Sequence, residues 1–156
     1  MSKNEIVTIP GGWSITYHYS AGKVVSRFFK EIKEHGRIMA TKCPSCGLVM
    51  LPPRAYCERC FKPVSDWVEV GKEGTIESFT VVYEKFEGQP DPPYAIAYVR
   101  LDGADTAMVN FVRGIDLTDL KTVTSKLRVG AKVKVVMKPP HEREGRITDF
   151  WYEFKS

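Results

Sequence analysis

This chain has no cysteine to spare. Only four occur in 156 residues, and all four fall in two Cys-x2-Cys pairs, Cys43 with Cys46 and Cys57 with Cys60. If those pairs hold a metal, none is left to act as a nucleophile or redox centre. Histidine is scarcer still: His18, His35 and His141 are scattered without metal-ligand or triad spacing, so each reads as a solvated or locally hydrogen-bonded residue. There is no Gly-x-Gly-x-x-Gly after a strand, no Walker-type phosphate loop and no His-Glu-x-x-His. Glu142 and Glu144 lie in a Pro- and charge-rich stretch where solvation is the better explanation. No catalytic constellation is present. Long apolar runs are missing as well. A membrane-spanning helix needs roughly 18 apolar residues in a row, and Met1-Ser2-Lys3-Asn4-Glu5 opens with mixed charge rather than an apolar signal core. Thiolate ligands require a reducing compartment, so the expected address is the cytoplasm, with no membrane partner.

What is present begins with the cysteine spacing. A Cys-x2-Cys turn brings two sulfurs to one side of a tight knuckle, and the second pair, returning after ten residues, completes a tetrahedron. Cys43, Cys46, Cys57 and Cys60 are therefore the expected ligands of a structural Zn2+. A shell of four thiolates is closed and leaves no position for water or substrate, so such a metal builds the protein and does not catalyse. Gly47, directly after Cys46, suits the left-handed residue a knuckle needs; Phe61 occupies that place in the second knuckle, where the geometry is expected to be less ideal. Between the pairs, Pro52 and Pro53 stiffen the return and project Arg54 from a rigid support. Arg54 either pairs locally with a carboxylate or reaches a ligand phosphate or a partner.

Charge is uneven. Residues 1–66 carry ten Lys/Arg against five Asp/Glu, and residues 67–156 carry thirteen against fourteen. Counting four thiolates around one dication, the front part falls to about +3 and the chain to about +2. A mildly basic front half is compatible with a phosphate-bearing ligand but is not the dense stripe of a strong duplex binder.

Three regions are expected: an extended segment and helix over 1–36, a zinc ribbon over 37–66, and a β domain over 67–156. Residues 5–9 and 13–19 look extended, interrupted by Pro10-Gly11-Gly12. From Lys23 to His35, Val24, Val25, Phe28, Phe29 and Ile32 recur at three- and four-residue intervals, and Gly36 ends the pattern, which predicts an amphipathic helix. Plain packing of this face onto the body is the expectation; a face left uncovered would be a docking surface. Arg37–Lys42 reads as a strand entering the first knuckle. Strands are then expected over 74–83, 94–101, 106–112, 132–137 and 147–154, with a helical turn within 116–123. Five strands with a short helical connector between the third and fourth fit an OB-fold barrel. The fold class expected is mainly β with an N-terminal helix, a rubredoxin-like ribbon preceding the barrel.

The order of elements carries a resemblance. A helix leads to Cys-x2-Cys, Pro52-Pro53-Arg54 and Cys-x2-Cys, then to Ser78-Phe79-Thr80-Val81-Val82. A hairpin from Pro93 to Gly103 and the strand of residues 129–135 complete the pattern. The chain resembles the zinc-ribbon/OB-fold acyl-CoA-associated family, catalogued as a domain of unknown function, over roughly residues 23–140. The resemblance implies a small non-catalytic protein assembled with thiolase-fold enzymes and sometimes with hydratase-like ones. Archaeal partners of the family include acetoacetyl-CoA thiolase and hydroxymethylglutaryl-CoA synthase. It implies a scaffold that docks on a CoA-using enzyme and helps enclose acyl-CoA or CoA shared with that partner, Arg54 being the one candidate contact to a CoA phosphate.

Two other readings stand beside it. A ribbon joined to an OB barrel also serves single-stranded nucleic acid if Phe79, Tyr83, Tyr98 and Phe111 face outward to stack bases. Most of these are expected inside so small a barrel, and the near-neutral barrel half disfavours that partner. An iron-bearing electron carrier would use the same four sulfurs, but the ten-residue gap is short for it.

Overall fold

The computed structural model describes residues 9–12 and 15–155. The extended reading of residues 5–8, and of Trp13 and Ser14, lies outside the described residues. Residues 15–20 form no strand and are exposed throughout.

Helix α1 runs Gly22–His35. Gly36 ends it in the left-handed conformation (φ 62°), its amide donating to the Ile32 carbonyl at 3.1 Å while the Arg37 amide reaches back to Glu31 at 3.3 Å. These bonds satisfy carbonyls that a helix end otherwise strands. Only the second half of α1 packs as the periodicity implies: Phe28 and Ile32 are buried, whereas Val24 is half-covered and Val25 is exposed.

Strands β1 (Met39–Lys42), β2 (Val49–Met50) and β3 (Asp66–Glu69) make the ribbon sheet in the order β2-β1-β3, both pairings antiparallel. Five strands then close a barrel: β4 (Glu73–Val82), β5 (Tyr94–Leu101), β6 (Met108–Arg113), β7 (Lys132–Met137) and β8 (Phe150–Phe154), ordered β4-β5-β6-β8-β7. β6 and β8 run parallel, and β7 closes the ring onto the start of β4. Alternation decides the inside. Along β5, Ala95, Ala97, Val99 and Leu101 are buried while Tyr98 and Arg100 are out, as a two-residue period requires. Small Ala side chains on β5 leave room for Phe150 and Tyr152, both fully buried on β8, with the Tyr152 hydroxyl donating to the Met108 carbonyl at 3.0 Å. Gly74 makes the closure tight: a Cβ there would lie 2.6 Å from the Arg100 carbonyl oxygen, so any side chain pushes β4 from β5.

Two elements differ from expectation. Helix α2 is Leu120–Lys126, four residues later than the expected turn began. Asp116 spends its carboxylate on Thr118, whereas Asp119 caps the helix by accepting from the amides of Lys121 (3.1 Å) and Thr122 (3.3 Å). Residues Ile147–Asp149 form a 3-10 turn rather than the start of the last strand. Buried Asp149 gathers the amides of Glu144, Gly145 and Arg146 (2.6–3.0 Å), and Asn110 donates to the Ile147 and Phe150 carbonyls. These side-chain bonds out-compete a sheet ladder. Burial alone would raise the Asp149 carboxyl; the three amides and Lys138 hold it below the ordinary carboxylate value.

Ribbon and barrel are stitched together. The Val49 amide donates to the Asp105 carboxylate (2.8 Å) and its carbonyl accepts from the Asp105 amide (2.9 Å). The Thr106 hydroxyl accepts from the Leu51 amide (2.7 Å) and donates to the Leu51 carbonyl (2.8 Å). Asp105 and Thr106 sit in the β5–β6 connection, so the barrel's hairpin supplies the partners that short β2 lacks. One apolar cluster runs from Phe28 and Ile32 through Ile38, Ala40 and Leu51 into the barrel; a second, smaller one surrounds the cysteines.

Candidate metal centre and docking surface

The two knuckles are near copies. The Gly47 amide donates to the Cys43 carbonyl (2.9 Å) and the Cys43 amide to Leu48 (2.8 Å); Phe61 and Cys57, then Cys57 and Lys62, repeat the pair at 2.8 and 2.9 Å. Gly47 has φ 77° and Phe61 has φ 56°, the one left-handed non-glycine among the described residues. The second knuckle thus keeps the geometry despite its side chain, at a backbone cost of about 1–2 kcal/mol. The Phe61 ring points into solvent.

The knuckles bring four sulfurs within 4.8 Å of one another, Cys43 and Cys57 buried, Cys46 and Cys60 half-buried. The Cys46–Cys57 Sγ separation is 3.7 Å. A disulfide would measure about 2.05 Å, whereas a tetrahedron with Zn–S bonds of about 2.3 Å has edges of about 3.8 Å. The residues present fit a tetrahedral dication. Their acidities diverge. The Cys46 amide draws the Cys43 thiol down to about 7 against the opposing effect of burial. Cys60 is pushed up to about 12, first by its hydrogen bond with Cys46 and then by burial. Four thiols this close cannot all ionise unaided; a bound cation reverses that balance.

Two family descriptions match: the ChsH2 rubredoxin-like zinc ribbon domain over residues 30–64, and the ChsH2 C-terminal OB-fold domain over residues 67–138. A DUF35 domain-containing scaffold protein from Methanocaldococcus jannaschii is 30% identical over 84 residues, 51% of this chain and 58% of that protein. The chain belongs to the DUF35 family. Its alignment thus spans under two thirds of that curated relative. A DUF35 protein of unknown function from Sulfolobus solfataricus superposes with a TM-score of 0.63 at 26% identity, covering 86% of this chain and 87% of that one. A chain of the Ltp2–ChsH2(DUF35) aldolase gives 0.62 at 21% identity, covering 88% and 97%; at that identity the likeness shows the fold alone. Family membership brings with it the zinc ribbon and the OB-fold.

Arg54 stands beside the centre on the return between knuckles. Its guanidinium pairs with Glu58 at 2.6 Å, both side chains about half exposed, and its amide donates to the buried Thr41 hydroxyl at 2.9 Å. The local carboxylate partner is therefore present, and the fork still faces solvent. The three histidines are exposed and lie on different elements: His18 before α1, His35 at its end, His141 in the 3-10 turn after β7.

The expectation that the barrel aromatics face inward is corrected. Tyr98 and Tyr83 are 50% exposed, Phe79 is 38% exposed, and Phe111 is half-buried on the outer side. Tyr98 pairs with Val109 and Ile96 with Phe111, both pairs on the outer face of β5–β6. A bulge between Ile76 and Ser78 shifts the β4 register. Beyond Ile76, β4 has left its β7 partner, so Phe79 lies on the Ala97 side of the sheet yet at an open end. Periodicity identifies alternate faces but not which is covered. Beside this outer face, α1, Pro52, Pro53, Val109 and Ile147 enclose an almost wholly apolar groove of about 210 Å3. Two features escaped the sequence reading: this groove, and a cluster of lysines at the α2–β7–β8 junction. The Lys132-x-Lys134 alternation, which puts both on one face, was the available signal for the latter.

Proposed function

We propose that this chain is a non-catalytic scaffold that docks on a thiolase-fold acyl-CoA enzyme and helps enclose the acyl-CoA. The observation that carries the reading is the uncovered apolar surface around α1. Val25 is 38% exposed beside the groove, and in the preceding segment Tyr19 is 82% exposed, with Ile15 and Tyr17 also open to water. An isolated chain gains nothing by leaving a helix face and three large side chains unburied, whereas a partner recovers that free energy. Thiolase chemistry needs a nucleophilic cysteine; here Cys43, Cys46, Cys57 and Cys60 are assigned to structural Zn2+, so the partner performs the reaction. A seam between two proteins supplies the narrow apolar channel a pantetheine arm requires. In this reading the half-exposed Arg54 exchanges Glu58 for a CoA phosphate or a partner carboxylate, and the working compartment is the reducing cytoplasm.

The single-stranded nucleic-acid reading is favoured by one observation, the outward aromatics. It is weakened by their placement, since Tyr98 and Phe111 lie on β5 and β6 while the lysine cluster lies on β7 and β8. A strand-binding groove interleaves the two along one track.

Purification from native extract tests the choice. A nuclease-resistant complex with a thiolase-fold enzyme is expected, and Val25→Asp should weaken it at least tenfold while the barrel stays folded. Replacing His18, His35 and His141 by Gln should leave turnover of the complex within about twofold. A large loss of turnover with assembly intact, or recovery of nucleic acid alone, overturns the proposal.

A further inference from the structure

The barrel half is almost neutral by count, yet its cations are not evenly spread. A cleft of about 500 Å3 opens between the end of α2 and the strands β7 and β8, and its lining includes Lys126, Arg128, Lys132, Lys134 and Lys155. The fold assembles them from three places. Val123 and Leu127 are buried and anchor the last turn of α2, which leaves Lys126 and Arg128 on the cleft side. On β7, buried Val133 and Val135 force Lys132 and Lys134 outward together. Lys155 follows directly from β8.

The negative charge around them is too small to neutralise the group. Glu153 is the single carboxylate of the lining, and it accepts from the Trp151 indole at 2.8 Å. Lys155 pairs with Glu73, outside the lining, at 2.5 Å. Lys132 donates to the neutral Thr75 hydroxyl at 2.7 Å. Among the described residues, no carboxylate stands within ion-pair distance of Lys126, Arg128 or Lys134. Like charges held together in a concavity raise each other's energy and focus the field on an entering anion.

We infer that this cleft binds a compact, multiply phosphorylated small molecule of the nucleotide class. Concavity and volume fit a ligand of that size; five cations on three sides suit several phosphates rather than one. Phe154 borders the cleft but stands opposite buried Val133 and packs against the barrel core, so the cations rather than a stacking ring carry the fit. Trp151, on the same face of β8 as Glu153, already carries the Arg113 guanidinium over its ring at 4.6 Å, so a compact ligand is a better fit here than a long strand of stacked bases. The chemistry is shared by a free nucleoside polyphosphate and by the phosphorylated adenosine end of CoA. The site stands apart from the docking reading, because it is measured on this chain alone; a failure here leaves the complex-formation result untouched.

The experiment is calorimetric titration of the zinc-loaded full chain with CoA, ATP, adenosine 3′,5′-bisphosphate and inorganic pyrophosphate at about 0.15 M salt. At least one nucleotide is expected to bind below about 100 µM. Arg128→Ala with Lys134→Ala should weaken it at least tenfold, and raising the salt should weaken it further. Lys85→Ala, a cation paired with Asp91 in the β4–β5 loop, should change nothing. CoA and the bisphosphate binding more tightly than ATP assigns the CoA head; ATP equal or tighter assigns a free nucleotide. No binding by any of the four overturns the inference, as does binding unaffected by the double variant. A single-stranded oligonucleotide outcompeting every nucleotide at these residues also overturns it.

Discussion

The ribbon and the barrel solve the same problem with different materials. The barrel buries Ile76, Val99, Leu101, Met108, Val133, Phe150 and Tyr152 in a cluster continuous with α1. Around its cysteines the ribbon has only Leu48, Met50 and Val64, while its buried Ile38, Ala40 and Leu51 belong to the barrel's cluster. Each fully buried aliphatic or aromatic side chain is worth about 1.5–3 kcal/mol, so the barrel's interior can offset its chain entropy and the ribbon's cannot. The difference teaches where each region's stability comes from. One region is held by area removed from water, the other by coordination and by what the barrel lends it through Asp105 and Thr106.

The strongest way to break this contrast is to remove the metal. Structural zinc in small ribbons contributes about 10–16 kcal/mol of apparent binding energy, far beyond what Leu48, Met50 and Val64 supply. Chelation, or Cys57→Ser, should abolish amide-exchange protection over residues 43–64 while protection in β5 and β8 persists; loss of both together would show that the two regions fold as one unit. The converse cut falls in the barrel. Leu101→Ala should cost about 2–5 kcal/mol in denaturant unfolding yet leave the zinc stoichiometry of the folded protein at one per chain.

The seam comes next. Thr106→Val keeps the shape and removes both bonds to Leu51, leaving a buried amide and carbonyl unpaired, at a cost of about 1–3 kcal/mol. Faster zinc loss to a competing chelator is expected, because the ribbon then loses part of its fixed support. Acid separates the regions more gently. Metal ligands must stay deprotonated, so the ribbon should release zinc first as pH falls. Asp149, held below the ordinary carboxylate value by its amides and Lys138, gives stability that is complete above the unfolded-state value of about 4 and is lost as pH drops through its lower folded value. A scan by fluorescence and metal release should therefore show two steps, zinc first; in Asp149→Asn the second should shift or vanish.

Residues differ in how much they disclose by themselves. The Cys-x2-Cys pairs announced the centre because a tetrahedron needs its ligands at fixed local spacing. β5 and β7 were legible to the residue, since Tyr94–Leu101 and Lys132–Met137 alternate cleanly between turns. Ile147–Asp149 was not, because the turn is made by Asp149 and by Asn110, 37 residues upstream of Ile147. Val24 and Val25 have the same periodicity as Phe28 and Ile32, and nothing in the spacing says that the body ends halfway along α1.

The sequence by itself determined the clustering of the four cysteines and the order of helix, ribbon and strands, since these rest on residue identity and short-range spacing. Only the tertiary structure decided which aromatics face water, where the apolar groove opens, and that five cations of a nearly neutral half share one cleft. Those are matters of which surfaces meet, and they are set by contacts between residues far apart along the chain. The register bulge in β4, the barrel closure and the half-covered α1 turn local patterns that look alike into surfaces with different partners.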